Sequence, residues 1–396
     1  MAADKIICTY LKKRIKRLQD YMKTEGIDYS IIYKPENVFY FSHFNPVLNS
    51  MPVFVGIPVD GEPVLLVPAL RYAHAVEEGA ISNVQCFGKW GSAPSIAKSY
   101  DAALAGLLPE KVEKIGLELD TLEVSKYELL KKSLGFGQAV SISNAILQLK
   151  IIKDEYEISC IRKSALLVDT GMAKAVESLR NGLSEADACT EGQYAMRKMW
   201  QEKFGDMEIC GFGTSEGGMT DSLQMWCLSD SRIAYGCDCS RSYKPRNGDV
   251  VLPMAWAKVD GYHAENERTI AWGQISGDRA AAYKAVLAAR EAEFKILKPG
   301  TAFSELYQAA ANEFKKGGFG DILPGRVGHG VGNSAHEYPS VAEDNTLLLQ
   351  PGMVITIEPG LMDASWGGVR HSDTVLITEK GYDRLTQYPN GYLSNR

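Results

Sequence analysis

Residues 328–332 read Gly-His-Gly-Val-Gly, with His336-Glu337 close behind. Residues 353–360 then read MVITIEPG and residues 369–381 read VRHSDTVLITEKG. Three glycines around His329 let backbone approach backbone closely, which an ordinary packed position does not need. Glu358 ends an apolar, β-branched run, and a carboxylate on a buried strand must be paired, protonated or bound to something. Arg370, His371, Ser372 and Asp373 crowd the start of a second strand-like run. A further stretch lies upstream, where residues 261–269 read GYHAENERT. If this stretch is extended, its side chains alternate and His263, Glu265 and Glu267 share one face. Two carboxylates and an imidazole facing a common cavity perturb one another, which is how a site obtains an acid and a base near neutral pH. The other reading of the same residues is a solvated strand face beside a structural histidine.

Working outward, the second half alternates strand-like runs (DVVLPMAWAKV, HAENERTIAWG, MVITIEPGLM, VRHSDTVLITEKG) with two helical stretches, SGDRAAAYKAVLAAREAEFKIL and AFSELYQAAANEFKKGG. That is an α+β pattern of antiparallel strands with covering helices. Upstream, Asp154 followed by Glu157 marks the entry of a long amphipathic helix. The first part differs. Leu11, Ile15, Leu18 and Met22 recur at helical spacing before Gly26, and short β-branched runs follow: IDYSIIY, PVFVGIP, PVLLVPA and KIGLEL. A helix-like IAKSYDAALAGLL lies among them, so this part reads as α/β. The spacing predicts two domains, residues 1–153 and 154–396.

Composition narrows the function classes. Hydrophobic residues make up 45% and charged residues 23% of the 396, an ordinary globular mix. The net charge of −6, without a long basic run, speaks against a nucleic-acid partner. No apolar run approaches the roughly 18 residues of a membrane helix, and the N-terminus lacks a signal-peptide core, so a cytoplasmic protein is expected. Eight scattered cysteines form no CxxC pair, which argues against a structural zinc site or a disulfide framework.

Together these clusters resemble the pita-bread family of methionine aminopeptidases, prolidases, aminopeptidase P and creatinase. RLQDYMKTEGIDYSIIYKPENVFYFSHF is similar to the N-terminal domain of the creatinase- and prolidase-like members, LQLKIIKDEYEISCIRKSA to their interdomain segment, and the four clusters to the catalytic domain in order and spacing. The resemblance implies a pita-bread catalytic domain preceded by a creatinase-type α/β domain, and a homodimer. The family's metallopeptidases hold two metal ions on two Asp, one His and two Glu. Carried over residue by residue, these fall on Met254, Glu265, His329, Glu358 and Ser372. A thioether and a hydroxyl are poor substitutes for carboxylates toward a hard divalent ion.

Creatinase, the metal-free member, carries Glu-Arg-Thr, which Glu267-Arg268-Thr269 matches. Its histidine upstream of the Gly-Asp strand falls on Cys237. The resemblance to creatinase- and ectoine-hydrolase-like members therefore implies a metal-independent hydrolase of a non-peptide carbon–nitrogen bond, of amidine or amide type, in a small polar or zwitterionic substrate. Glu267, Glu358, Cys237, His329 and His263 are its expected catalytic groups. Tyr40, Phe44, Tyr262, Glu265, His336, Arg370 and Ser372 are its expected substrate contacts, the aromatic ones suited to a cationic ligand. No cofactor is expected; if one divalent metal is retained, Glu265, His329 and Glu358 hold it. The alternatives are a metal-dependent Xaa-Pro aminopeptidase or prolidase with an altered site, a lyase, and a non-catalytic binding module.

Overall fold

The computed structural model describes residues 5–216, 221–236 and 238–395. Its first unit takes the residues up to 150 together with 210–216. The apolar stripe read from the sequence forms α1 (Lys5–Glu25), which buries Leu11, Ile15, Leu18 and Met22. The chain continues through β1 (Tyr29–Ile32), α2 (Pro35–Ser42), β2 (Phe54–Pro58), β3 (Val64–Pro68), α3 (Tyr72–Glu78) and β4 (Val84–Phe87). It then runs through α4 (Tyr100–Leu107), β5 (Lys114–Leu117), α5 (Val124–Leu134), β6 (Gln138–Ser141) and α6 (Ser143–Lys150). The strands form one mixed sheet in the order β4-β3-β2-β1-β5-β6. Residues 210–216 lie in the part of the sequence whose pattern belongs with the later strands. They nevertheless join this unit: the Gly213 N–H donates to the Pro46 carbonyl at 2.8 Å, and the Phe212 and Phe39 rings stand 4.9 Å apart.

Tyr40 and Phe44, expected as substrate contacts, lie on α2 and just beyond its end. Pro35 sits in the first turn of α2, and His43 ends it in the left-handed conformation. Tyr40 and Phe44 are both about 1% exposed. Arg14 lies over the Tyr40 ring, the Tyr40 hydroxyl donates to the Leu149 carbonyl, and Phe44 packs edge-on to His74. Both aromatic rings are used up in the core of this unit, which leaves neither face available to a ligand.

The second unit begins at 151 and opens with α7 (Glu155–Arg180), capped by Asp154 and Glu157 in a reciprocal capping box. Each of these bonds satisfies a backbone N–H that the first helical turn would leave unpaired, and the cap is worth about 1 kcal/mol. After α8 (Glu185–Phe204) come β7 (Leu223–Ser229), β8 (Val250–Val259), β9 (Tyr262–Arg268), β10 (Ile270–Ala271), α9 (Gly277–Ile296) and α10 (Phe303–Lys316). The chain ends with β11 (His329–Gly330), β12 (Glu337–Ser340), β13 (Val354–Ile357), β14 (Gly360–Asp363), β15 (Gly367–Thr378) and β16 (Gly381–Arg384). Their sheet has the order β10-β8-β9-β15-β13-β11-β12, with β7 added on β8 and both β14 and β16 on β15. Helix α7 packs on β8 and β9, and α9 packs on β15. Among the described residues no helix is long and apolar enough to cross a membrane.

Candidate active site

Strand register builds the site. Met254 lies opposite Glu267 and Trp256 opposite Glu265 across β8 and β9, while Ser372 lies opposite Glu267 across β9 and β15. Alternation therefore points Met254, Trp256, His263, Glu265, Glu267, Arg370 and Ser372 to one side of the sheet. A cavity of about 370 Å³ opens there, walled by Trp226 and Trp256, whose rings meet edge to face at 5.3 Å. Glu265, Glu267, Glu358 and Arg370 line it, with His263, His336 and Arg326 around them.

Each acid is held differently. Glu265 accepts from the Ser372 hydroxyl at 2.6 Å and from the Trp256 indole N–H at 3.1 Å. Glu267 accepts from Arg370 Nη2 at 2.7 Å, and its other oxygen lies against Nε as an ion pair without an aligned hydrogen bond. The same guanidinium reaches Glu358 at 3.4 Å and the Met254 thioether at 3.1 Å. Arg370 has room to do so because Gly360 stands opposite it, where a Cβ would collide with the arginine stem.

His329 enters from β11. A Cβ on the preceding Gly328 would strike the Thr356 carbonyl, so the glycine is what lets this strand lie close to β13. The His329 N–H donates to the Thr356 hydroxyl at 3.0 Å, and its Nδ1 meets the Gly330 carbonyl at 2.9 Å. With Nδ1–H donating there, Nε2 is directed at the acids, 3.3 Å from Glu358 and 3.5 Å from Glu265. It is completely buried and makes no aligned hydrogen bond to either. The His336 ring centre is 4.4 Å from that of His329. The adjacent Glu337 anchors this loop through Lys153 at 3.1 Å and the Ser334 N–H.

Electrostatics follow the crowding. Burial pushes the carboxyl of Glu267 up, to about 8, against the pull of Arg370. Burial likewise raises Glu265, with His329 opposing it. Burial would raise Glu358 too, but the nearby His329 imidazole and Arg370 outweigh it and bring it down to about 2. Burial disfavours the imidazolium of His329, yet Glu265 and Glu358 lift it to about 9. His263 is driven the other way, to about 3, by burial and then Lys258, so it is a neutral hydrogen-bonding wall. His336 falls to about 4, through burial and the neighbouring His329.

One donor atom from each of Glu265, His329 and His336 lies within 4.8 Å of the others, a grouping that can hold a metal ion, and Glu358 flanks it. Of the residues expected from the sequence, Glu265, Glu267, Glu358, His329, His263, His336, Arg370 and Ser372 come together. Tyr262 does not join them. Its side chain is buried edge-on to Tyr156, on the opposite side of β9 from Glu265 by alternation. Cys237 lies outside the described residues. Trp226, Trp256 and Arg326 were not singled out from the sequence, although Trp256 stands two residues beyond Met254 on the same strand face.

A family model described as metallopeptidase family M24 matches residues 159–379, and one described as the creatinase/prolidase N-terminal domain matches residues 14–152. The chain is 32% identical to an Xaa-Pro dipeptidase of Pyrococcus furiosus over 95% of its length and 98% of the relative's. It is 30% identical to that of Pyrococcus horikoshii, over 95% and 97%. The prolidase structure from Pyrococcus horikoshii superimposes with a TM-score of 0.81 at 28% identity, covering 96% of this chain and 99% of that one. These relatives overturn the expectation of a metal-free, creatinase-like hydrolase of a non-peptide bond, and the expectation that no cofactor is needed falls with it. Met254 and Ser372 misled that reading. They offer no carboxylate, but His336, on a loop the sequence pattern does not place, brings a further nitrogen near that of His329. The fold, the matched domains and these full-length relatives make the chain a hydrolase of metallopeptidase family M24, with a pita-bread catalytic domain behind a creatinase/prolidase-type N-terminal domain.

Proposed function

We propose that the protein is a metal-dependent peptidase that cleaves dipeptides of the Xaa-Pro type. The observation that carries this reading is the convergence of donor atoms of Glu265, His329 and His336 beside the cavity. Two imidazoles and a carboxylate, with Glu358 alongside, suit a divalent transition metal. The buried, unmatched Nε2 of His329 supports this fit, because a ligand nitrogen is the group such an ion would satisfy. A bound divalent ion would supply Lewis acidity toward the scissile carbonyl. The chain's own residues do the rest. Ser372 and the Trp256 indole fix the orientation of Glu265, and Gly330 fixes the tautomer of His329. The Trp226–Trp256 wall excludes water and offers an apolar surface to a proline ring. Arg326, which lines the cavity as a cation, suits a dipeptide's carboxylate. With Glu265 and Glu358 engaged near the ion, Glu267 remains as the carboxylate positioned for proton transfer to the leaving nitrogen.

The test is release of the N-terminal amino acid from Xaa-Pro dipeptides by chelator-stripped protein reloaded with manganese, cobalt or zinc. Activity that appears on reloading and disappears on chelation is expected. Absence of cleavage with all three metals would overturn the reading. Glu267→Gln should lower kcat by roughly 10²–10⁴-fold while metal content stays at the parent level.

A further inference from the structure

We infer that the Arg370 guanidinium stands in for a second metal ion, so that the site is built for one divalent ion. The inference rests on the metal-dependent reading above and deepens it. Its starting point is charge. Two buried carboxylates, Glu265 and Glu267, and the 12%-exposed Glu358 face the Arg370 guanidinium, with Arg326 on the cavity wall. Fully ionised, these acids leave two negative charges beyond Arg370, and one divalent ion neutralises them even before Arg326 is counted. A second divalent ion would turn a buried site strongly positive, and uncompensated buried charge is costly.

Geometry agrees. The cluster has two lobes. In one, the unmatched Nε2 of His329 converges with Glu265 and His336. In the other, Arg370 touches Glu267, Glu358 and the Met254 thioether. That lobe already has its cation: the guanidinium hydrogen-bonds one oxygen of Glu267 and lies against the other. The remaining groups there cannot draw in a hard ion: Met254 offers only soft sulfur, and the hydroxyl of Ser372 is directed at Glu265. These are the two positions at which the two-metal members carry carboxylates. Met254, Ser372 and Glu267 therefore form one set. Two carboxylates are absent where those members carry them, and Arg370 is held against Glu267, whose charge it neutralises. Such an arrangement presents a fixed, non-exchangeable positive charge toward the substrate beside a single exchangeable ion.

Metal content separates the possibilities. Chelator-stripped protein is titrated with manganese by calorimetry, and the loaded, desalted protein is assayed by elemental analysis and electron paramagnetic resonance. One equivalent per chain and an uncoupled manganese signal are expected. Two equivalents, or an exchange-coupled signal, would overturn this inference and leave the metal-dependent reading standing. Binding of no ion would overturn both. Arg370→Gln removes the fixed charge and frees Glu267, so it should bind more than one equivalent, whereas Arg370→Lys should keep one. An Arg370→Gln protein that folds and binds one equivalent with parental affinity would sink the assignment. Should that variant fail to fold, the spectrum and stoichiometry of the parent still decide.

Discussion

Strands β9 and β15 have two faces, and they handle buried charge in opposite ways. Toward the helices, Asp373 accepts from Arg268 at 2.6 Å, from the Thr386 hydroxyl at 2.9 Å and from Arg290 of α9 at 2.5 and 3.0 Å. Arg268 spends its other N–H groups on the carbonyls of Glu267, Ser372, Tyr388 and Pro389. Asn266, on the same face, donates to Asp169 of α7 at 2.5 Å. One residue along the same backbone, the cavity face carries Glu265 and Glu267, with Glu358 close by, against Arg370, while Arg326 lines the cavity wall. The helix-side acid is neutralised by the protein itself, so it fastens the sheet to its helices. The cavity-side acids are left in surplus, so they need a cation from outside. A buried carboxylate is thus informative only once its partners are counted.

The largest expected effect tests the ion pairs of Asp373. Asp373→Ala leaves two buried guanidiniums without their counter-charge and should cost about 3–5 kcal/mol, read as a fall in the denaturation midpoint. Glu265→Gln keeps one acceptor oxygen for the Trp256 indole, can turn its amide N–H to the Ser372 oxygen and removes like charge, so in metal-free protein it should change stability by less than about 1 kcal/mol. Equal losses in the two variants would break the contrast. The pH dependence has a definite sign. Burial would raise the Asp373 carboxyl, but Arg268 and Arg290 outweigh it and hold it below its ordinary value. Its contribution is therefore fully present above the unfolded value of about 3.9 and is lost as pH falls through the folded one. Asp373→Asn should flatten that acid limb of the stability curve.

Next in size is the response to metal. If the cavity face is short of a cation, manganese at 100 times its dissociation constant should stabilise the folded chain by about 2.7 kcal/mol. Glu265→Gln should lose most of that gain, and parental metal stabilisation in this variant would show that the surplus acids do not hold the ion. Elsewhere on the same strands, Asp373→Asn should keep it.

Much of this contrast was legible in the sequence. Period-two alternation placed His263, Glu265 and Glu267 on one face, and Asp154 with Glu157 marked the helix start. The glycines around His329 announced close backbone approach. What stayed hidden was long-range or aperiodic. Helix α2 is buried on nearly every side, with Val38, Phe39, Tyr40 and Phe41 all in the core, so it has no amphipathic stripe to read. His336 sits in an irregular loop, where no periodicity says which way it points. The grip of Arg370 on Glu267 joins residues 103 apart and depends on the pairing of β15 with β9, which no local pattern specifies. The sequence therefore gave up Met254 and Ser372 as missing donors without revealing what had replaced them.

The subtlest expected effect concerns orientation. Trp256 belongs to the cavity wall, but its indole N–H also donates to Glu265 Oε2 at 3.1 Å. The other oxygen of Glu265 is fixed by Ser372, so the two bonds together set the plane of the carboxylate. Trp256→Phe keeps an aromatic wall and removes only the donor. Partners of this kind are worth roughly 10- to 100-fold in metal affinity or activity, so manganese affinity should fall by a factor in that range while the metal-free melting temperature barely moves. A variant that loses stability and keeps its metal affinity would make Trp256 packing alone. The cavity face would then owe its metal site to Ser372 and the histidines, and the orienting role assigned to the wall would be withdrawn.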